Sequence, residues 1–110
     1  MYYLLEDNII IDSEKLSVKV IEYQGKQYLS RDSKNIYSLG TIKKQSENVY
    51  DLIEVGDLVG SDFDISRVVG LQSDSVVVKH DCCIYFENIT TIYKPDAKGN
   101  YIKAWEKKDE

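Results

Sequence analysis

Proline occurs once in the 110 residues, at Pro95, and histidine once, at His80. A chain with so little proline and no low-complexity stretch has no evident linker, so one compact domain over residues 1–110 is expected, with a β-rich part over 1–43 and a second part over 44–110. The single histidine leaves Cys82 and Cys83 only one histidine base, and neighbours on an extended strand seldom reach the geometry of a nucleophile and its base. No enzyme is expected. Two adjacent cysteines cannot staple a small secreted fold, since neighbours in a strand point to opposite faces, and one half-buried thiol with one exposed or interfacial thiol is expected. His80, Asp81, Cys82 and Cys83 lack the paired spacing of a zinc site, so no metal and no cofactor is expected.

Other absences narrow the class further. No apolar run approaches the roughly 18 residues of a membrane span. The first residues, MYYLLEDNIIID, have no basic segment and carry Glu6 and Asp7, which argues against a signal peptide and for the cytoplasm. Basic doublets are limited to Lys43-Lys44 and Lys107-Lys108, and the formal net charge is -5. Nucleic-acid binding is therefore disfavoured, while a basic protein partner suits the acidity. The glycine-rich phosphate loop G-x-x-x-x-G-K-[ST] is missing as well.

What is present reads as strands. In KLSVKVIEY, Leu16, Val18 and Val20 alternate with Ser17, Lys19 and Ile21, and QGK supplies a glycine turn into QYLSR, giving a hairpin. The polar cluster Asp32 to Asn35 then separates a further strand, IYSLGTI. Ser46 can cap a two-turn helix over about residues 47–54, with Val49, Leu52 and Ile53 on its inner side and Gly56 as its left-handed stop. Strand-like runs return at LVG, ISRVVGL, SVVVK, CIYF and TTIYK, and the spacing predicts a small SH3-like barrel or a bent sheet. Pro95-Asp96 and Gly99-Asn100 mark a C-terminal hairpin. The expected class is mainly β: an antiparallel meander, one short helix, then the barrel or bent sheet.

Two sets of residues are candidates for binding. Asp51, Glu54, Asp57, Asp62 and Asp64 crowd one stretch and could form an acidic docking face; a solvated helix side and an Asp57 turn explain them more simply. Nine tyrosines exceed ordinary usage. A tyrosine such as Tyr85 could stack on a base while Arg31, Arg67 or Lys79 meets a phosphate.

The stretch QSENVYDLIEVGDLVG resembles a motif, S-x-N-hydrophobic-x-D-L-I-E-V-G-D-x-V, of small proteins encoded by phages and prophages of Gram-positive bacteria. The matching residues are Ser46, Asn48, Val49, Asp51, Leu52, Ile53, Glu54, Val55, Gly56, Asp57 and Val59. The valine-rich strands and ENITTIY that follow look similar too. The resemblance implies an accessory protein acting in the host cytoplasm, and by analogy an inhibitor of bacterial immunity in the manner of anti-CRISPR proteins. Its expected partner is a host defence protein, or alternatively a nucleotide second messenger held by an oligomer. A structural or regulatory phage component is a third reading. Free sheet edges and many aromatics lead us to expect a homo-oligomer.

Overall fold

The structure, a computed structural model, describes residues 1–31, 39–62, 64–79 and 82–107. The chain divides into two compact units, Met1–Leu52 and Ile53–Glu110.

The first unit holds β1 (Tyr2–Leu5), β2 (Ile10–Asp12), β3 (Lys19–Tyr23), β4 (Lys26–Ser30) and β5 (Gly40–Ser46), in the antiparallel order β2-β1-β5-β4-β3. A register shift between Leu4 and Leu5 lets two consecutive leucines both turn inward, where they are fully buried with Leu29. The β3–β4 hairpin closes as the QGK turn requires: Gln24 and Gly25 both have positive φ, 51° and 77°, and Tyr23 pairs with Lys26. That is the type I′ connection, whose twist matches its strands. Nothing lies within 4 Å of a Cβ built at Gly25, so replacement there tests the backbone alone. Gly25→Ala is expected to lower stability by about 1 kcal/mol, read as a shift of the urea midpoint with unchanged slope. The Asp32 to Asn35 cluster and the start of IYSLGTI lie outside the described residues.

The expected two-turn helix is a single 3-10 turn, Val49–Leu52. Local side-chain bonds set where it starts and where it stops. Ser46, the last residue of β5, accepts the Asn48 N–H at 3.1 Å and donates its hydroxyl to Asp51 Oδ2 at 2.6 Å, and Asn48 Oδ1 accepts the Tyr50 N–H at 3.0 Å. The Asn48 bond, to the second residue of the turn, is an N-cap, so the turn starts two residues later than a Ser46 cap would place it. Beyond Leu52 the Glu54 N–H goes to Asp57 Oδ2, which ends any continuation.

The second unit holds β6 (Leu58–Gly60), β7 (Ile65–Leu71), β8 (Ser75–Val78), β9 (Ile84–Tyr85), a 3-10 turn at Phe86–Asn88, β10 (Thr91–Pro95) and β11 (Tyr101–Glu106). The antiparallel order is β11-β10-β6-β7-β8-β9: a four-strand meander to whose first strand the C-terminal hairpin returns. The sheet is not closed, an arrangement compatible with the expected bent sheet or small barrel. Bulges after Val68 and Ile92 add local bend. Val59, Val68, Val76, Val78 and Ile92 are buried along the inner face. Asp96 builds the last turn, its Oδ1 accepting from the Lys98 and Asn100 N–H groups, and Pro95 ends β10 beyond the three residues that pair with β6.

CIYF contributes only Ile84 and Tyr85 to a strand. Cys82 and Cys83 precede it, so strand alternation does not separate them: the two sulfurs lie 3.6 Å apart, Cys82 exposed and Cys83 half-buried. His80 and Asp81 are outside the described residues.

Candidate ligand-binding face

Glu54 to Asp57 form a four-residue turn, with the Asp57 N–H donating to the Glu54 carbonyl and Gly56 at φ 98° in its third position. A type II turn demands a positive φ there, which glycine adopts without strain. The turn is tied to β7 on both sides of Val68: Gly56 N–H donates to the Val68 carbonyl and Val68 N–H to the Asp57 carbonyl. Tyr101 adds its hydroxyl to the Gly56 carbonyl at 2.7 Å.

Register decides what the turn's carboxylates meet. β6 pairs with β10 as Val59 with Ile92 and Leu58 with Tyr93, so one step further Asp57 stands opposite Lys94 on the inner face. Lys94 is 0% exposed and Asp57 is 3% exposed, with Lys94 Nζ donating to Asp57 Oδ2 at 2.6 Å and to Glu54 Oε1 at 3.0 Å. Burial raises the Asp57 carboxyl above the usual carboxylate range, against the opposing pull of the Lys94 hydrogen bond, the Glu54 N–H and the Lys94 charge. Both acids of the E-V-G-D segment are thus bound into a buried ion cluster.

This breaks up the acidic docking face. Asp57 is buried and cannot present its charge, and Glu54, placed by the sequence on a solvated helix side, is half-buried against Lys94. Asp51 is exposed but belongs to the first unit. Asp62 and Asp64 are exposed beside the β6–β7 connection, where Asp64 Oδ1 accepts the Ile65 N–H and the Ser61 N–H bonds the Asp64 carbonyl. Only those two remain together as open carboxylates of one unit.

The cations fare differently. Arg31 follows β4 in the first unit. Arg67 and Lys79 come together in the second: Val68 pairs with Val78, and the Lys79 N–H continues the ladder to the Arg67 carbonyl at 3.0 Å. Residues opposite each other on antiparallel strands share a face, so these two exposed cations project side by side from the outer face. The same row runs on through Leu58, opposite Arg67, to Tyr93, opposite Leu58, and to Lys103, opposite Tyr93. Lys103 has an acid of its own, Glu106 at 3.1 Å, whose hydrogen bond raises its pKa. Among the described residues, neither Arg67 nor Lys79 has a carboxylate within ion-pair distance.

Tyr85 stands elsewhere, lining a shallow cleft with Ser73, Asp74, Phe86 and Glu87, where two carboxylates repel an anion. Tyr93 is the tyrosine in the cationic row. Sequence reasoning missed it, and missed Lys94, although Lys94 sits in phase with buried Ile92 in the run T-I-Y-K-P. That phase is the one signal that could have marked it as inward-facing.

Among the described residues no group of three His, Cys, Asp or Glu side chains could hold a metal ion, and no helix is long and apolar enough to cross a membrane. No protein-family profile, curated protein or solved structure matches this chain. What the fold and the site define is an open, antiparallel all-β protein with a buried ion cluster behind one sheet and a cationic row across it.

Proposed function

We propose that the protein is a non-enzymatic phage accessory protein that counters host immunity by sequestering a nucleotide signal on the outer face of its second sheet. The observation that carries this reading is the pairing of Arg67 with Lys79. Like charges directly opposite on a sheet repel, and an anion bridging them turns that cost into charge-assisted hydrogen bonds. Tyr93, two strands along the row, offers a ring on which a base can stack. The net charge of -5 disfavours polyanions that bind the chain by charge alone. Titration calorimetry with cyclic dinucleotides and cyclic ADP-ribose isomers is the test. Saturable heat with at least one of them is the expected result; none from any of them rejects the reading.

A second reading, an anti-CRISPR-like inhibitor that binds a host defence protein, is favoured by the exposed pair Asp62 and Asp64. It predicts capture of a defence component from host lysate and rescue of phage plating, both lost when the two aspartates become lysines. A structural or regulatory phage component without anti-defence activity would instead show a reduced burst in a host lacking defence systems. The open sheets leave β2, β3, β9 and β11 as edges, which supports a homo-oligomer in either binding mode. Light scattering at micromolar concentration is expected to give more than the monomer mass, and the monomer mass would overturn that part.

A further inference from the structure

Cys82 and Cys83 are assigned no role in the proposed function. Their sulfurs are 3.6 Å apart, and at least one of them is open to solvent. We infer that they form a vicinal dithiol that reacts with small-molecule disulfides and closes on itself.

The chemistry follows from the spacing. The thiolate of either cysteine attacks one sulfur of a disulfide RSSR, forming a mixed protein–S–S–R bond and releasing RS⁻. The neighbouring thiolate, already in contact, attacks the protein sulfur of that bond and expels the second RS⁻. The protein loses two electrons and two protons, the disulfide gains them, and the products are a Cys82–Cys83 bridge and two RSH. To close, the sulfurs move from 3.6 Å to the roughly 2.05 Å of a bond.

Such a bridge cannot be a staple. It closes no loop beyond one peptide bond, so it removes almost no entropy from the unfolded chain. Nor is it relaxed, since adjacent Cα atoms are about 3.8 Å apart and ordinary disulfides hold theirs at about 4.4–6.8 Å. Strained, exposed disulfides have the more oxidising potentials. Once formed, the bridge therefore reopens readily, which suits reversible exchange and not architecture.

The test uses the full chain and dithiobis(nitrobenzoate), an aromatic disulfide whose released thiolate is coloured. Wild type is expected to release two thiolates per reagent consumed, the second at a rate independent of reagent concentration, and to end lighter by the mass of two hydrogen atoms. Cys82→Ser and Cys83→Ser should each stop at a stable mixed disulfide with one thiolate released. Reduced glutathione should then reopen the wild-type bridge. Wild type that retains two mixed adducts, links two chains together, or closes to a bridge that glutathione leaves intact would overturn the inference. Heat from nucleotide titration is a separate readout, so this experiment and that one fail independently.

Discussion

Lys94→Met is expected to destabilise the protein by about 3–5 kcal/mol at neutral pH, the usual cost of removing one partner from a buried ion pair. Asp57 is 3% exposed and would keep its charge with only the Glu54 N–H to satisfy it, while Glu54, half-buried, can turn toward water. The sign of the pH dependence is fixed by the raised carboxyl. Asp57 already binds its proton more tightly folded than unfolded, and deleting Lys94 removes contributions that lower its pKa. The folded variant then binds more protons than its unfolded chain, so its stability is greatest below the unfolded carboxylate pKa of about 4 and is lost as pH rises through the folded value. Denaturant melts of wild type and variant across that range should diverge with rising pH. Adding Asp57→Asn to Lys94→Met should return most of the loss, because a neutral amide needs no counter-charge and its oxygen can still accept the Glu54 N–H. A double variant no better than the single would show that the damage lies in packing around the lysine stem.

Arg67→Gln and Lys79→Gln should each weaken nucleotide binding by roughly 10- to 100-fold, the equivalent of losing one hydrogen bond between charged groups. The pair makes a second prediction that an ordinary surface site would not. Each substitution removes a like-charge contact from the sheet, so the unliganded protein should become slightly more stable, by about 0.5 kcal/mol or less for groups this exposed. Affinity and stability then move in opposite directions, measurable by calorimetry and thermal melts on the same samples. Arg67→Lys should retain most of the affinity if charge is what matters, and lose it if the guanidinium clasps a phosphate with two N–H groups. Tyr93→Leu, which keeps an apolar side chain but no ring, isolates stacking: it should lower affinity for nucleotides and leave inorganic phosphate unaffected. Unchanged nucleotide binding in both glutamine variants would move the ligand off this face.

Many local devices were legible in the sequence because the forces behind them act over a few residues. Gly25 closes a hairpin because glycine adopts positive φ without strain, and Asp96 with Gly99 folds the last turn through bonds spanning at most four residues. Alternating apolar residues gave the mainly β, antiparallel class, and the breaks between them marked off the strands of the second sheet. The helix was misjudged for a reason equally local. Asn48, not Ser46, caps the turn by accepting the Tyr50 N–H, and Asp57 takes the Glu54 N–H that a second turn would have needed.

What the sequence by itself determined, then, is the turns and the strand character. Only tertiary structure decided the meaning of the charges. Asp57 and Lys94 are 37 residues apart, and Arg67 and Lys79 lie on different strands; no local rule couples either pair. A register one residue different would put Lys94 on the outer face, leave Asp57 without its counter-charge and move Arg67 off Lys79, because side chains alternate faces with a period of two. Register is set by which apolar residues bury together across whole strands. It therefore fixes at once that the carboxylates of the E-V-G-D turn serve the interior, and that two cations stand open on the opposite face.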